Sequence, residues 1–330
     1  MRVRRSTVLF IVLLIATFWL ILYSSFLLLR VASGAAAIGK IDPGEPMRWH
    51  LVMIGERIDS PFWQEVFAGA LEICSERDAV VELVGPALDA DRKDTDEYLQ
   101  YAVAARPNGI LAFVDDREES LQALEIAALR GIPVISLEND AFPANRQSFV
   151  GVSRYALGNL LGGLVYTCGG ATGHALVLLD EESVRSSESI MLSAIQDAVS
   201  SYPEIRVTAL DRNSMKDMSR DEFLRHRILN DPDLDVILCL TAEDTVLATQ
   251  AVIELNQSSR ISIIAFRESR EILDYVRKGI IQAVVAVDAR QMGRKAADAM
   301  LEYLETGHSN DFVITDLHVI TADSLERSRQ

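Results

Sequence analysis

The chain has 330 residues, of which 49% are hydrophobic, and a formal net charge of −16. Residues 1–48 hold six basic and two acidic side chains, so the remaining residues carry a net charge of −20. A body this acidic repels phosphate backbones, which argues against nucleic acid as a partner. About 280 residues beyond an apolar N-terminal segment are enough for two lobes with a core in each.

Cysteine and histidine follow no pattern that indicates a metal site. The three cysteines, Cys74, Cys168 and Cys239, match no zinc spacing, and an odd number is no disulfide framework. Each lies in or beside an apolar segment, which is typical of small buried thiols. The five histidines are scattered along the chain. We therefore expect neither a metal nor a cofactor.

The N-terminus has the pattern of a membrane anchor. Residues 6–29 contain no charged side chain and follow three arginines. As a helix this segment is about 36 Å long, which spans a bilayer. The arginines keep residues 1–5 in the cytoplasm, so we expect a single-pass signal anchor in the cell membrane, with the body outside the cytoplasm. An alanine run at 35–37 offers a cleavage site, but the length of the apolar run favours retention. Residues 30–47 are predicted to form a linker.

From Trp49 onward, apolar strands alternate with amphipathic helices. In chain order, the first half predicts strands at 49–55, 79–84, 109–114, 133–137 and 148–152, with helices at 61–76, 95–105 and 119–130. The second half predicts helix 153–166, strands at 174–179, 206–210, 236–240, 261–266 and 282–287, and helices near 186–200, 220–229, 243–255 and 268–277; helix 289–305 and a last strand at 312–320 follow. This alternation predicts an α/β fold with two doubly wound parallel-sheet lobes. Ligands of such sheets bind beyond the carboxyl ends of the strands.

Five stretches, in their order and spacing, resemble those of the type 1 periplasmic binding proteins. They are SPFWQEVFAGA (60–70), RPNGILAF (106–113), ALRGIPVISL (128–137), FVGVS (149–153) and QMGRKA (291–296). The resemblance is to the ribose-binding-protein group, whose fold is also the effector domain of LacI-type regulators. It implies two lobes joined by three crossovers. Lobe 1 is then expected at 48–152 plus 288–312 and lobe 2 at 153–287 plus 313–322, with a tail at 323–330.

The resemblance also implies where ligand contacts lie. The aromatic pair after the first strand is present as Phe62-Trp63, whereas the aspartate-arginine pair after the fourth strand reads Glu138-Asn139. The usual arginine of the helix after the sixth strand falls on Met191, and Arg185 is a substitute by proximity only. Two further positions read Glu243 and Arg267 in place of the family's aspartates, and the position at the end of the tenth strand is Val287. Because most sugar-contacting chemistry has changed, a pentose ligand does not follow.

Carboxylates follow several predicted strands, notably Asp115, Glu138, Glu243 and Asp288. They suit a cleft for a polar or cationic ligand, because they accept hydrogen bonds from hydroxyl or ammonium groups. Each also precedes a predicted helix, so that helix capping explains a large share of them equally well.

The adjacent aromatics Phe62 and Trp63 have two interpretations. One is a stacking platform for a ring in the cleft, and the other is helix core. Two successive helical residues do not share one face, so at least one is expected to point away from the core. We expect Trp63 to expose its indole to the cleft, just beyond the carboxyl end of the first strand.

These patterns predict a solute-binding protein that closes two lobes over a small polar, sugar-like ligand, and not an enzyme. Its output would be delivery to an ABC permease or presentation to a membrane sensor kinase. The altered contact positions leave a second hypothesis open, a protein-interaction module on a degenerate binding fold. A transcription factor is disfavoured, since the N-terminus is an apolar segment and not a helix-turn-helix.

Overall fold

The computed structural model describes residues 47–87, 94–115, 117–140, 145–179, 185–210 and 218–327. The predicted anchor at 6–29 and most of the predicted linker lie outside the described residues and stay predictions. No helix in the described part of the chain is both long and apolar enough to cross a membrane. The chain divides after Arg48, and the unit that begins at Trp49 holds the helices and strands described below.

Strands and helices alternate along this unit as the sequence predicts. The elements up to the first crossover are β1 (Trp49–Ile54), α1 (Pro61–Glu76), β2 (Ala79–Val84), α2 (Asp94–Ala105), β3 (Gly109–Phe113), α3 (Glu118–Leu129), β4 (Val134–Leu137) and β5 (Ser148–Gly151). Those that follow are α4 (Arg154–Gly169), β6 (Gly173–Leu178), α5 (Arg185–Val199), β7 (Ile205–Leu210), α6 (Arg220–Asn230), β8 (Leu234–Cys239), α7 (Ala242–Glu254), β9 (Ser262–Phe266), α8 (Arg270–Arg277), β10 (Ile281–Val287), α9 (Ala289–Thr306), β11 (Phe312–Ile314), β12 (Leu317–Ile320) and α10 (Ala322–Arg327).

The strands form two separate sheets, which define the two lobes. The sheet of lobe 1 has the order β11-β5-β4-β3-β1-β2, and that of lobe 2 has the order β12-β10-β9-β8-β6-β7. Every described strand pair is parallel except β10 with β12, which is antiparallel. The strands are almost uniformly apolar because helices cover both faces of each sheet. The predicted two-lobed α/β fold is confirmed.

Helix α9 returns from the second lobe to the first and packs against α1. The two helices approach so closely that a Cβ at Gly69 would lie 2.0 Å from the carbonyl oxygen of Arg290. A Cβ at Gly293 would lie 1.8 Å from the carbonyl oxygen of Val66. Glycine at both positions therefore sets the helix separation, and α9 is part of lobe 1.

The C-terminal segment differs from the sequence prediction. The single strand predicted at 312–320 is two strands, since β11 pairs with β5 in lobe 1 and β12 pairs with β10 in lobe 2. The break falls at Thr315-Asp316, where the Thr315 amide donates to Gly151 and the Asp288 amide donates to Asp316. These two polar residues interrupt the apolar run, but their presence alone does not show that the strands on either side belong to different sheets. Residues predicted as a tail from 323 onward form most of α10.

Candidate functional site

The two lobes meet where β4 and β9 end. Glu138 directly follows β4 in lobe 1, Arg267 directly follows β9 in lobe 2, and their side chains form an ion pair. Both residues have a positive φ, 64° for Glu138 and 73° for Arg267. Non-glycine residues rarely adopt this conformation, and it is costly unless surrounding structure holds it. Here the Glu138 amide donates to Val150 at 2.9 Å and the Arg267 amide donates to Val285 at 2.8 Å, which fixes each residue to its own sheet.

Arg267 also makes an aromatic contact with the first lobe. Its guanidinium carbon lies 5.1 Å from the centre of the Phe62 ring and 5.5 Å from that of its neighbour Phe266. A planar guanidinium can pair with a carboxylate and stack on a ring at the same time. Phe62, Glu138 and Arg267 therefore form one contact group between the lobes.

Trp63 belongs to the core, so the exposed indole expected from the sequence is wrong. Its side chain is 1% exposed and makes edge-on contacts with Phe62, at 5.6 Å between ring centres, and with Phe113, at 6.2 Å. Ser60 caps α1 by accepting a hydrogen bond from the Trp63 amide. This start places Trp63 on the buried helix face, whereas the adjacent Phe62 is half-buried beside Arg267. A ligand contact by either residue stays a prediction.

Two buried polar atoms are unsatisfied, one on Glu138 and one on Trp63, which packs against Phe62. Neither the indole Nε1 of Trp63 nor Oε2 of Glu138 has a hydrogen-bond partner within the described part of the chain. One is a donor and the other is an acceptor when ionised. Buried polar atoms nearly always find a partner, so each unsatisfied one requires an explanation. A hydroxyl group is able to accept from an indole or donate to a carboxylate.

Asn139 and Asp115 make polar contacts inside lobe 1. The side-chain amide of Asn139 donates to the Val114 carbonyl at 2.9 Å, which ties the end of β4 to the end of β3. Asp115 accepts hydrogen bonds from Ser120 at 2.6 Å and from Arg117 at 2.5 Å. Both donors also contact Asp96, the pKa of which is raised above its ordinary value mainly by burial. These contacts satisfy Asp115 without a ligand.

The remaining predicted contacts are not brought to the Glu138–Arg267 pair by any described interaction. Asp288 caps α9, accepting from the Gln291 amide at 2.9 Å. Glu243 lies in the first turn of α7 and is exposed. Arg185 is the first residue of α5, and its side chain lies outside the described part of the chain. For Asp288, capping accounts for the residue; for Glu243, position in the first helical turn does so.

Sequence reasoning missed a buried ion pair at the edge of lobe 2. Arg220 pairs with Asp244, which is 3% exposed, and donates to the Leu179 carbonyl just after β6 at 2.7 Å. The sequence carries only a weak signal for it, since Asp244 follows the more conspicuous Glu243. The pairing of Glu138 with Arg267 had a clearer signal, because two altered family positions have opposite charges.

The fold consists of two open, mainly parallel sheets in two lobes, which contact each other at the ends of β4 and β9. The family model of the periplasmic binding protein domain matches residues 51–309, and the chain belongs to that family. A comparison with curated protein sequences found no match.

Solved structures share the fold over most of the chain. GanP, a glucose-galactose binding protein from Geobacillus stearothermophilus, has a TM-score of 0.75 at 24% identity over 84% of this chain and 98% of its own. An ABC transporter solute-binding protein from Agrobacterium vitis, bound with α-D-tagatopyranose, has a TM-score of 0.73 at 18% identity over 84% of this chain and 96% of its own. A XylFII–LytSN complex contains a chain with a TM-score of 0.71 at 24% identity over 84% and 100%.

Proposed function

We propose that this chain is an extracytoplasmic solute-binding protein that closes its two lobes over a small polar ligand with hydroxyl groups. The observation that carries the proposal is the meeting of the lobes at Glu138 and Arg267, where the buried Oε2 of Glu138 has no hydrogen-bond partner within the described residues. A ligand hydroxyl supplies the donor that this carboxylate oxygen lacks. Sugars present several hydroxyls in a compact ring, and the solved relatives include sugar-binding proteins.

The output of binding is delivery to an ABC permease or presentation to a membrane sensor kinase. Similarity to a solute-binding protein of an ABC transporter supports delivery. Similarity to a chain of the XylFII–LytSN complex supports a protein partner. The apolar segment at 6–29 would hold the body at the outer face of the membrane, where either partner is reached.

Ligand binding is tested by thermal unfolding and calorimetry of the full-length chain with a panel of neutral monosaccharides, sugar acids and amino acids. A true ligand at about 100 times its Kd stabilises the folded state by about 2.7 kcal/mol. Glu138→Gln should lower the affinity for that ligand, because an amide accepts hydrogen bonds less strongly than a carboxylate. Glu125→Gln is the matched control, since Glu125 is exposed on α3. Equal affinity of both variants contradicts the assignment of the site.

A second candidate is a protein-interaction module without a small ligand. One observation favours it, because Arg267 covers the Phe62 ring that a sugar would otherwise use as a platform. Native mass spectrometry of the purified protein separates the two. A bound solute of defined mass supports the binding protein. A ligand-free spectrum together with a negative panel supports the module.

A further inference from the structure

We propose that Glu138 and Arg267 act as a latch, an interlobe bond that holds the lobes closed through protein atoms at both ends. The inference rests on the proposed function, since closure is the step that a ligand would control. It adds that closure of this chain depends on its own charges as well as on the ligand.

Burial makes the pair strongly coupled. The Glu138 side chain is 4% exposed and that of Arg267 is 31% exposed. Salt screens such a half-enclosed pair less than a surface pair, but more than a fully buried pair. Removing one partner by substitution leaves the other charge enclosed without a counter-charge, which is unfavourable in the closed arrangement. In the closed arrangement, the Glu138 carboxylate is paired with the opposite charge of Arg267.

The second contact of Arg267 is also with lobe 1. Its guanidinium pairs with Glu138 and lies over Phe62, so that two separate groups of lobe 1 hold one side chain of lobe 2. This double contact requires the planar, delocalised guanidinium, and the compact ammonium of lysine does not reproduce its geometry. Arg267→Lys should therefore keep the charge pair but weaken the latch.

The backbone places both partners at fixed points. Each is the residue immediately after a central strand, each has a positive φ, and each amide continues the hydrogen bonding of its own sheet. The latch is thus anchored in two rigid sheets, and its distance reports directly on lobe separation. Movement between the lobes is expected to change this distance before it changes either sheet.

The latch is tested on the full-length chain by measuring the distance between spin labels on the two lobes, with no ligand added. Suitable exposed positions are Leu129 on α3 and Leu229 on α6, which are 81% and 64% exposed. Wild type should show a population at the short, closed distance. Glu138→Gln or Arg267→Gln should lower the ratio of closed to open protein by about tenfold. The double exchange Glu138→Arg with Arg267→Glu should restore a closed population.

Arg146→Gln is the matched control. Arg146 and Asp140 form a similarly enclosed ion pair just after β4, but both partners lie in lobe 1. Its loss should leave the distance distribution unchanged. Where a single variant fails to fold, wild type in rising sodium chloride gives the answer. Its closed fraction should fall between about 0.05 M and 1 M salt, because the partly exposed Arg267 is screened.

A distance distribution that is the same in wild type, in the folded single variants and across the salt range would overturn the latch. The proposed function fails differently, through a negative ligand panel. A negative panel with a charge-dependent closed population removes the ligand and leaves the latch. A bound sugar with a closed population that ignores Glu138 and Arg267 removes the latch and leaves the ligand.

Discussion

Replacement of Trp63 by alanine tests whether the aromatic group after β1 is core or cleft. The indole is 1% exposed, is edge-on to Phe62 and Phe113, and lies against the backbone at Gly55, where an added Cβ would be 3.0 Å from the ring. Removal of a buried tryptophan costs about 3–5 kcal/mol of unfolding free energy. The two aromatic contacts account for about 0.5–1.5 kcal/mol each. We expect Trp63→Ala to lose an amount in the upper part of this range.

Trp63→Phe should lose much less unfolding free energy than Trp63→Ala. The indole Nε1 has no hydrogen-bond partner within the described residues, so phenylalanine gives up no protein hydrogen bond and keeps an aromatic edge. Trp49→Phe is the control, because Trp49 is half-buried at the start of β1, the strand that precedes α1. Urea unfolding of the full-length chain, followed by far-ultraviolet circular dichroism, measures all three variants.

Tryptophan fluorescence gives an independent readout of the same question. With Trp19 and Trp49 replaced by phenylalanine, the native emission of Trp63 should already be blue-shifted and should shift to the red only on unfolding. A native emission typical of water-exposed indole, together with a Trp63→Ala loss below about 1 kcal/mol, would refute the core placement. That result would restore the cleft-exposed tryptophan that the sequence suggested.

Two further predictions concern buried titratable groups. His174 is 2% exposed, contacts Asp231 at 2.7 Å, and has a pKa below its ordinary value of 6.5, mainly because burial disfavours the charged ring. As the pH falls, His174 is therefore protonated in the unfolded chain before it is protonated in the folded chain. Its contribution to folding stability is complete above pH 6.5 and is lost as the pH falls below that value. Melting temperatures from pH 8 to 5 should fall more steeply for wild type than for His174→Gln, and parallel curves would contradict this. Burial raises the pKa of the Cys74 thiol to about 11 and also raises the pKa of Cys239, so iodoacetamide at pH 8 should modify neither until the protein unfolds, whereas Cys168 is partly accessible. Peptide mapping that finds Cys239 alkylated in the native protein would show this prediction to be wrong.

The sequence predicted the fold well because local patterns carry it. Apolar runs of strand length, separated by helical periodicity, follow from burial of each sheet on both faces. The exception is the strand predicted at 312–320. The polar residues Thr315 and Asp316 mark a break, but the identity of the partner strand on each side is a long-range property that hydropathy does not encode.

The candidate site was harder to predict because it depends on phase and on long-range pairing. Trp63 and Phe62 differ by one helical position, so the choice of the buried face decides which ring is in the core. Glu138 and Arg267 were both candidate contacts, but only the three-dimensional structure shows that they contact each other. Asp288 was considered both as a contact and as a cap; the cap is present, and the ligand contact stays a prediction. Capping is a local interaction, but residue type alone does not separate it from ligand binding.

The return of α9 and β11 to lobe 1 has a consequence for how the protein is made. A chain that is synthesised and exported from its N-terminus presents β1 to β5 long before residues 289–314 emerge. Until then, the Gly69 face of α1 has no partner helix, and the outer edge of β5 has no partner strand. Lobe 2 needs only its own antiparallel strand from the same late segment. The lobe that begins first is therefore unable to finish folding until nearly the whole chain has been synthesised.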